Sequence, residues 1–242
     1  MIPRALAVAL AVLLAAGCDR LPGRPQPGSR PLRPSQVADF ATLYAANCAG
    51  CHGDERRPGA AVALADPVYL AFADDATLRA VTSGGVPGTA MPAFARSAGG
   101  SLTDAQIGIL VDGMRTRWGR PEALGGVRPP PYSTQSGDAI SGARSYATHC
   151  ASCHGPTGSG GARGGSVVDG SYLGLVSDQS LRTAVVVGRP ALGMPDWRGD
   201  GARAPMSDAD IADVVAWLAA QRPEFPGQPY PARTVKRGRD DG

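Results

Sequence analysis

Apolar and aromatic residues recur at helical spacing in three stretches of the chain, each preceded by a residue that can cap a helix. The capping residues are Ser35, Thr103 and Ser207, and acidic residues follow the last two, where they favour the first turn of a helix. The periodic positions are Val37, Phe40, Leu43 and Tyr44, then Ile107, Leu110, Val111 and Met114, and finally Ile211, Val214, Val215 and Leu218. The pattern predicts three amphipathic helices.

The second half of the chain repeats the first at a nearly constant offset. Cys48 and Cys150 lie 102 residues apart, and so do Tyr44 and Tyr146. The offset is 103 for Asp66 and Asp169, Tyr69 and Tyr172, Leu70 and Leu173, Leu78 and Leu181, Arg79 and Arg182, Gly85 and Gly188, and Met91 and Met194. It becomes 104 between the last two helical stretches. Single-residue steps in an otherwise constant offset indicate that one whole module was duplicated.

The duplication divides the chain into two small domains, which we place at residues 35–118 and 137–225. By the repeat, a helix also leads to Cys150, with Ser136 or Asp138 as its cap. Residues 119–136 contain four prolines and form the linker between the domains. Residues 226–242 are rich in Pro, Gly and charge, as is typical of a flexible tail.

Composition limits both the core and the partners. Aromatic residues make up only 5% of the chain, which is little for two small domains unless each packs around a large apolar cofactor. The formal net charge is +3. Without residues 1–17, a predicted leader that contains Arg4, the chain has 23 basic and 21 acidic residues, or a net charge of +2. Such a charge does not indicate nucleic-acid binding.

Two copies of a five-residue motif hold four of the five cysteines and two of the three histidines. They are Cys48-Ala49-Gly50-Cys51-His52 and Cys150-Ala151-Ser152-Cys153-His154. Two thiols three positions apart can add to the two vinyl groups of one haem, and the adjacent histidine then lies under the iron. A lone CxxC also suits a disulfide, a redox dithiol or half of a zinc site, but these leave the repeated histidine unexplained. The motifs predict two covalently bound haems.

Residues 1–17 have the pattern of a secretory signal, with Arg4 followed by an apolar run that is too short to span a bilayer comfortably. Its last four residues, Leu-Ala-Ala-Gly, are followed by Cys18. Together they resemble a bacterial lipoprotein cleavage box, although Leu stands one place further from the cysteine than usual. We expect Cys18 to be lipidated; an ordinary signal or an uncleaved anchor is the alternative. Residues 18–34 would then form a Pro- and Arg-rich tether. Asp19 resembles the signal that retains lipoproteins at the inner membrane.

The order of helix, CxxCH, Gly-rich loop, middle helix, Met-Pro loop and final helix resembles the class I c-type cytochromes, here in a tandem two-haem form. The resemblance covers about residues 35–118 and 137–222. It implies an all-α fold of two domains, each wrapped around one covalent haem. In this family the motif histidine and a methionine on the loop before the last helix ligate the iron. The matching residues are His52 with Met91 and His154 with Met194.

The methionine assignments agree with the repeat. Met91 and Met194 are related by the offset and lie in loops that contain Gly and Pro, whereas Met114 occupies a core position of a closing helix. Met206, beside the cap of the last helix, is the alternative to Met194. His149 directly precedes the second attachment motif and is held on that side, so His/Met ligation is favoured over bis-histidine ligation.

Other positions carry weaker expectations. Aromatic residues at matching places are candidates for lining the haems, with an ordinary core role as the alternative: Tyr69, Phe94, Tyr172 and Trp197. Arg79 and Arg182 could pair with haem propionates or lie on solvated helix faces.

One departure from the family pattern separates the two repeats. Class I cytochromes cross their first and last helices at a small residue and an aromatic residue. The second repeat fits this pattern with Gly142 and Trp217, whereas the first has Phe40 and Gly113. The bulky and small partners have been exchanged, and we expect compensated packing.

The resemblance implies an electron-transfer protein and not an enzyme, since two iron sites with both axial positions filled leave none for a substrate. We expect it to be anchored through Cys18 on the outer face of the cytoplasmic membrane. Its partner would be a membrane-bound respiratory or photosynthetic complex, such as an oxidase, a quinol-oxidising complex or a reaction centre. The alternative is a dihaem enzyme of the cytochrome c peroxidase type, and no signalling module indicates a sensor.

Overall fold

The computed structural model describes residues 31–133, 136–201 and 204–223. The predicted signal peptide, the lipidation site Cys18, most of the tether and the C-terminal tail lie outside the described residues. The described residues belong to two units, the first reaching to Val37 and the second beginning at Ala38. The described part of the first unit contains a 3₁₀ turn at Pro34–Gln36.

The described residues of the second unit form ten α-helices and no β-strand, which confirms the all-α prediction. Each repeat has five helices in the same order. The first repeat contains α1 (Phe40–Asn47), α2 (Ala49–His52), α3 (Pro67–Phe72), α4 (Asp75–Gly84) and α5 (Asp104–Trp118). The second contains α6 (Ala139–His149), α7 (Ala151–His154), α8 (Gly170–Leu175), α9 (Asp178–Val187) and α10 (Asp208–Ala219). Short 3₁₀ turns lie at Arg96–Ala98, Pro121–Leu124 and Pro190–Leu192.

The helix starts follow the predicted caps with one exception. Thr103 and Ser207 cap α5 and α10 by accepting hydrogen bonds from backbone N–H groups three residues further on, and Asp138 caps α6 in the same way. The prediction that Ser35 caps the first helix was wrong. Asp39 caps α1, because its carboxylate accepts a 2.8 Å hydrogen bond from the Thr42 N–H. A carboxylate directly before the first residue of the helix is the better acceptor for the free N–H groups of its first turn.

The first and last helices of each repeat cross at the predicted glycines. A Cβ on Gly142 of α6 would lie 2.0 Å from the Asp213 carbonyl oxygen of α10, so the two backbones are in direct contact. A Cβ on Gly113 of α5 would instead lie 2.1 Å from the ring of Phe40 of α1. The exchange of small and bulky partners is therefore confirmed. The crossing glycine packs against a side-chain ring in the first repeat and against helix backbone in the second.

Aromatic packing completes each crossing in a different way. In the first repeat Trp118 contacts Phe40 and Tyr44 edge-on, with ring centroids 5.4 and 4.8 Å apart. In the second repeat Tyr146 and Trp217 stack with centroids 4.2 Å apart. Such pairs add to the free energy gained by burying their area. The core of each repeat lies at this crossing.

An arginine near the end of each repeat fastens the middle helices to the last one. Arg115 of α5 donates to the carbonyls of Leu70 and Ala73 and pairs with Asp75 at 2.6 Å. Arg222, just after α10, makes the equivalent contacts in the second repeat. Its acceptors are the carbonyls of Leu173 and Val176 and the carboxylate of Asp178. The two arginines are not related by the repeat offset, yet they bind corresponding groups.

The segment predicted as a linker is packed between the repeats. Leu124 is buried, and the ring of Tyr132 lies 5.0 Å from that of Phe72. The Tyr132 carbonyl accepts a 2.8 Å hydrogen bond from the side chain of Gln179 in α9. The linker therefore contacts both repeats, while the boundaries of the two domains remain predictions. Among the helices of the described residues, none has the length and apolar character needed to cross a membrane.

Gly142→Ala is expected to destabilise the protein by about 1–3 kcal/mol, because the added carbon can be accommodated only if two helix backbones separate. Gly113→Ala meets a side chain instead, so Phe40→Leu in the same molecule is expected to recover part of the stability. Thermal unfolding of the haem-loaded variants measures both effects.

Gly84→Ala is the matched control, since a Cβ at this helical glycine would have no neighbouring atom within 4 Å. We expect it to be neutral or to stabilise by up to about 1 kcal/mol through helix propensity. If Phe40→Leu gave no recovery in the Gly113→Ala background, the side-chain crossing described for the first repeat would be contradicted.

Candidate haem sites

Each attachment motif lies where the first helix of its repeat gives way to a single helical turn. The Cys48 N–H donates to the Tyr44 carbonyl at 2.8 Å, and the His52 N–H donates to the Cys48 carbonyl at 3.0 Å. The corresponding bonds at Cys150 and His154 are also 2.8 and 3.0 Å. Because α2 and α7 are one turn each, the two cysteines and the histidine of a motif are held on the same short segment.

The four motif cysteines are free thiols. Burial, and secondarily the neighbouring thiol, raises the pKa of Cys48 and of Cys150 to about 11. In the described residues, no group of three or more Cys, His, Asp or Glu side chains is arranged to hold a metal ion. Because the thiols are free, neither motif contains a disulfide between its two cysteines. The two cysteine pairs are also not brought together as a four-cysteine zinc site would require.

The motif histidines have fixed orientations. His52 Nδ1 lies 2.7 Å from the Val62 carbonyl oxygen, and His154 Nδ1 lies 2.8 Å from that of Gly165. A carbonyl only accepts, so Nδ1 carries the proton and Nε2 keeps a free lone pair for a metal. Burial also lowers the pKa of His52, which favours the neutral ligand form. A Cβ on Gly164 would lie 2.8 Å from the His154 ring, so this glycine lets the loop pass against the imidazole.

A tyrosine hydroxyl closes each attachment turn, a feature that the sequence analysis missed. Tyr44 donates to the Gly53 carbonyl at 2.8 Å, and Tyr146 donates to the Gly155 carbonyl at 2.7 Å. Both glycines follow a motif histidine and have φ of 71° and 80°, a region that suits glycine. The shared 102-residue offset of the tyrosines and the cysteines was the signal that could have revealed the contact.

The two loop methionines are placed alike. Met91 and Met194 are half-buried, and their carbonyls accept hydrogen bonds from the N–H groups of Val86 and Arg189 at 3.1 and 2.9 Å. Each loop passes closely over a glycine at the end of the middle helix. A Cβ on Gly85 would lie 2.6 Å from backbone atoms of its loop. The loops are therefore held to α4 and α9, as a ligand-bearing segment requires.

The other described methionines belong to the core. Met114 is 3% exposed, which confirms its predicted core role, and Met206 is 8% exposed. The Met206 N–H donates to the Trp197 carbonyl at 2.9 Å, which fixes the segment before α10. His149 is half-buried at the end of α6.

The predicted pocket aromatics differ in exposure. Tyr69 and Trp197 are 5% and 4% exposed, Phe94 is half-buried and Tyr172 is 38% exposed. Tyr69 and Tyr172 are thus unlike, although the repeat offset relates them. Their role in lining the haems remains a prediction.

The two candidate propionate arginines have other partners. Arg79 is exposed and pairs with Asp112 at 2.8 Å, as a solvated helix face implies. Arg182 is only 1% exposed, so the prediction of a solvated face was wrong for this residue. It donates to the Pro131 carbonyl at 2.7 Å and pairs with Asp208, while its buried Nη1 has no hydrogen-bond partner among the described residues. The packed linker explains its burial.

These residues fit a c-type haem in each repeat. Free thiols and an imidazole with an available Nε2 share one turn, and a half-buried thioether is carried by a glycine-supported loop. The arrangement defines the chain as a tandem cytochrome c.

The comparison with protein families agrees. The family model described as cytochrome c oxidase, cbb3-type, subunit III matches residues 35–112 and 137–218, which together make up more than half of the chain. The chain belongs to this family. Two matched cytochrome c domains imply two c-type haems with iron and a role in electron transfer.

The structure is also similar to a chain of the reducing HAO-like protein complex of Kuenenia stuttgartiensis. The two share 17% sequence identity with a TM-score of 0.44, and the match covers 80% of this chain and 100% of the other. The comparison with curated protein sequences finds no match.

Met91→Ala and Met194→Ala are each expected to abolish the methionine-to-iron charge-transfer band of one haem and to lower its reduction potential, since thioether ligation raises the potential. Near-infrared spectra and redox titration of the two variants measure these changes.

Met114→Leu and Met206→Leu are the controls, because they conserve volume in the core. They are expected to leave both bands in place. Loss of the second band in Met206→Leu, with retention in Met194→Ala, would show that Met206 is the ligand.

Proposed function

We propose that this protein is a lipid-anchored dihaem cytochrome that passes single electrons to or from a membrane-bound respiratory or photosynthetic complex. The observation that carries the proposal is the pairing, in each repeat, of a histidine with a fixed Nδ1 and a methionine on a braced loop. In each repeat the histidine and the methionine would together hold the iron of a bound haem. No position would then remain for a substrate, which suits electron transfer.

The residues of the chain supply rigidity and tuning. When bound, a c-type haem supplies an iron that changes between the ferric and ferrous states. The carbonyls of Val62 and Gly165 hold the imidazoles in one tautomer and increase their basicity as ligands. Tyr44 and Tyr146 fix the attachment turns from the other end. Ligands held rigidly in this way would leave little rearrangement to accompany the gain or loss of an electron.

The sequence pattern around Cys18 supports the proposed location. A lipidated Cys18 and the Pro- and Arg-rich segment after it would hold the two domains close to the outer face of the cytoplasmic membrane. The family description names a subunit of a cytochrome c oxidase, which makes a membrane-bound terminal oxidase the first partner to test. A quinol-oxidising complex and a reaction centre are the next candidates.

The haem-loaded protein is expected to contain two c-type haems per chain, both low-spin in the oxidised state, and to turn over no peroxide. Optical and electron paramagnetic resonance spectra measure the spin states, and a peroxide assay measures turnover. Met91→Ala opens one axial position and should produce a high-spin signal. A high-spin haem and peroxide turnover in the unaltered protein would instead support the dihaem peroxidase.

The protein expressed with its own leader in a bacterial host is expected to incorporate labelled palmitate, and Cys18→Ala is expected to abolish the label. Asp19→Ala is the control, because it leaves the acceptor thiol in place and should keep the label. An unlabelled but secreted wild-type protein would show that residues 1–17 are an ordinary signal peptide.

A further inference from the structure

Two arginines flank the methionine loop of the second repeat and have no counterpart in the first. Arg189 stands at the start of the loop and Arg198 just after its end. At the 103-residue offset the first repeat has Val86 and Ala95. The backbones of Val86 and Arg189 make the same contact, because each N–H donates to the carbonyl of the methionine in its own loop. The difference between the repeats therefore lies in the side chains.

Arg189 connects the methionine loop of the second repeat to the attachment turn of the first. Its Nη2 donates to the Gly59 carbonyl at 2.6 Å. Gly59 lies directly on the first motif, because a Cβ at this position would be 2.1 Å from the Cys51 carbonyl oxygen. The Cys51 carbonyl also accepts a 2.9 Å hydrogen bond from the Ala61 N–H. One arginine thus links a predicted ligand loop to a predicted attachment site across the two repeats.

Arg198 fastens the other end of this loop. Its Nη1 donates to the Ala123 carbonyl at 3.2 Å, in the 3₁₀ turn of the linker that follows the first repeat. It also pairs with Asp196 at 2.6 Å and lies 5.1 Å from the centre of the Trp197 ring. These contacts orient the guanidinium toward the first half of the chain.

A small cavity of about 50 Å³, open to solvent, lies between residues 58–66 of the first repeat and residues 187–192 of the second, and Arg189 lines it. Asp196 is also close enough to Asp66 for its charge to contribute, after burial, to the raised pKa of Asp66. Arg198 balances that like-charge contact by pairing with Asp196.

We infer that Arg189, through Gly59, and Arg198, through the linker carbonyl of Ala123, dock the methionine loop of the second repeat beside the attachment turn of the first. This docking sets the rate at which an electron passes between the two haem sites. The inference rests on the proposed electron-transfer function. Electron tunnelling becomes steeply slower with distance, so a contact that joins the two sites directly governs the rate. In this role the arginines are positioning residues.

The test uses the full haem-loaded chain with Arg189→Val and Arg198→Ala, singly and together. Val and small Ala are the residues that the first repeat has at the same places. Each lost charge-assisted hydrogen bond is expected to lower the ratio of docked to undocked molecules about tenfold, and both together about a hundredfold if they act independently. Pulse radiolysis, which adds an electron to the oxidised protein, measures the subsequent exchange between haems.

The expected result is slower exchange in each single variant and the slowest exchange in the double variant. Arg189→Lys keeps a cationic donor and should recover part of the rate. The control is Arg96→Ala, which removes an exposed arginine that contacts the Ser101 carbonyl within its own repeat. It should exchange electrons as fast as the wild type. Thermal unfolding and the methionine band are measured for every variant.

Wild-type exchange in the double variant, with both haems and both bands retained, would overturn the inference and leave the proposed function intact. A lower unfolding temperature without slower exchange would likewise overturn it, because the arginines would then only stabilise the fold. A wild-type protein with no exchange between its haems would also overturn the inference.

Discussion

The crossing of the first and last helices is the contact on which each repeat depends. It joins elements that are distant in sequence, and α1 and α6 end directly at the attachment cysteines. The tyrosine that packs in the crossing also donates to the glycine carbonyl after the motif histidine. A shift of the helices would therefore move the turn that carries the thiols and the imidazole. The same side chains therefore set the helix packing and the position of the predicted attachment turn.

The repeats reach equivalent arrangements with different residues. Arg115 and Arg222 bind corresponding carbonyls and carboxylates from different places in the last helix or just after it. The crossing is filled by a ring in one repeat and by backbone in the other. In contrast, the hydrogen bonds around the attachment motifs agree within about 0.1 Å. The two repeats therefore differ in their helix crossings and arginine contacts, and are alike in the hydrogen bonds around the attachment motifs.

Sequence patterns predicted the helices, the repeat and the helix crossings because these depend on local spacing and on identical residues at a fixed offset. They missed the arginines that fasten the middle helices to the last one, Arg115 and Arg222. These two residues do not lie at the repeat offset, so comparing the repeats position by position does not pair them. The patterns also placed the cap of the first helix at Ser35, whereas Asp39 caps it, because the sequence pattern does not show at which residue the chain turns into the helix. The burial of Arg182 was also missed, because it depends on a proline-rich segment that packs between the repeats.

The exchanged crossing residues limit how parts of this chain can recombine. Phe40 and Gly142 occupy corresponding positions, as do Gly113 and Trp217. A hybrid domain with α1 and α10 would bring two large rings into the same space, whereas one with α6 and α5 would leave two glycines facing a void. The first and last helices must therefore be inherited as a pair. Recombination between the repeats is viable only where it transfers a whole domain, which preserves two distinct sites in one chain.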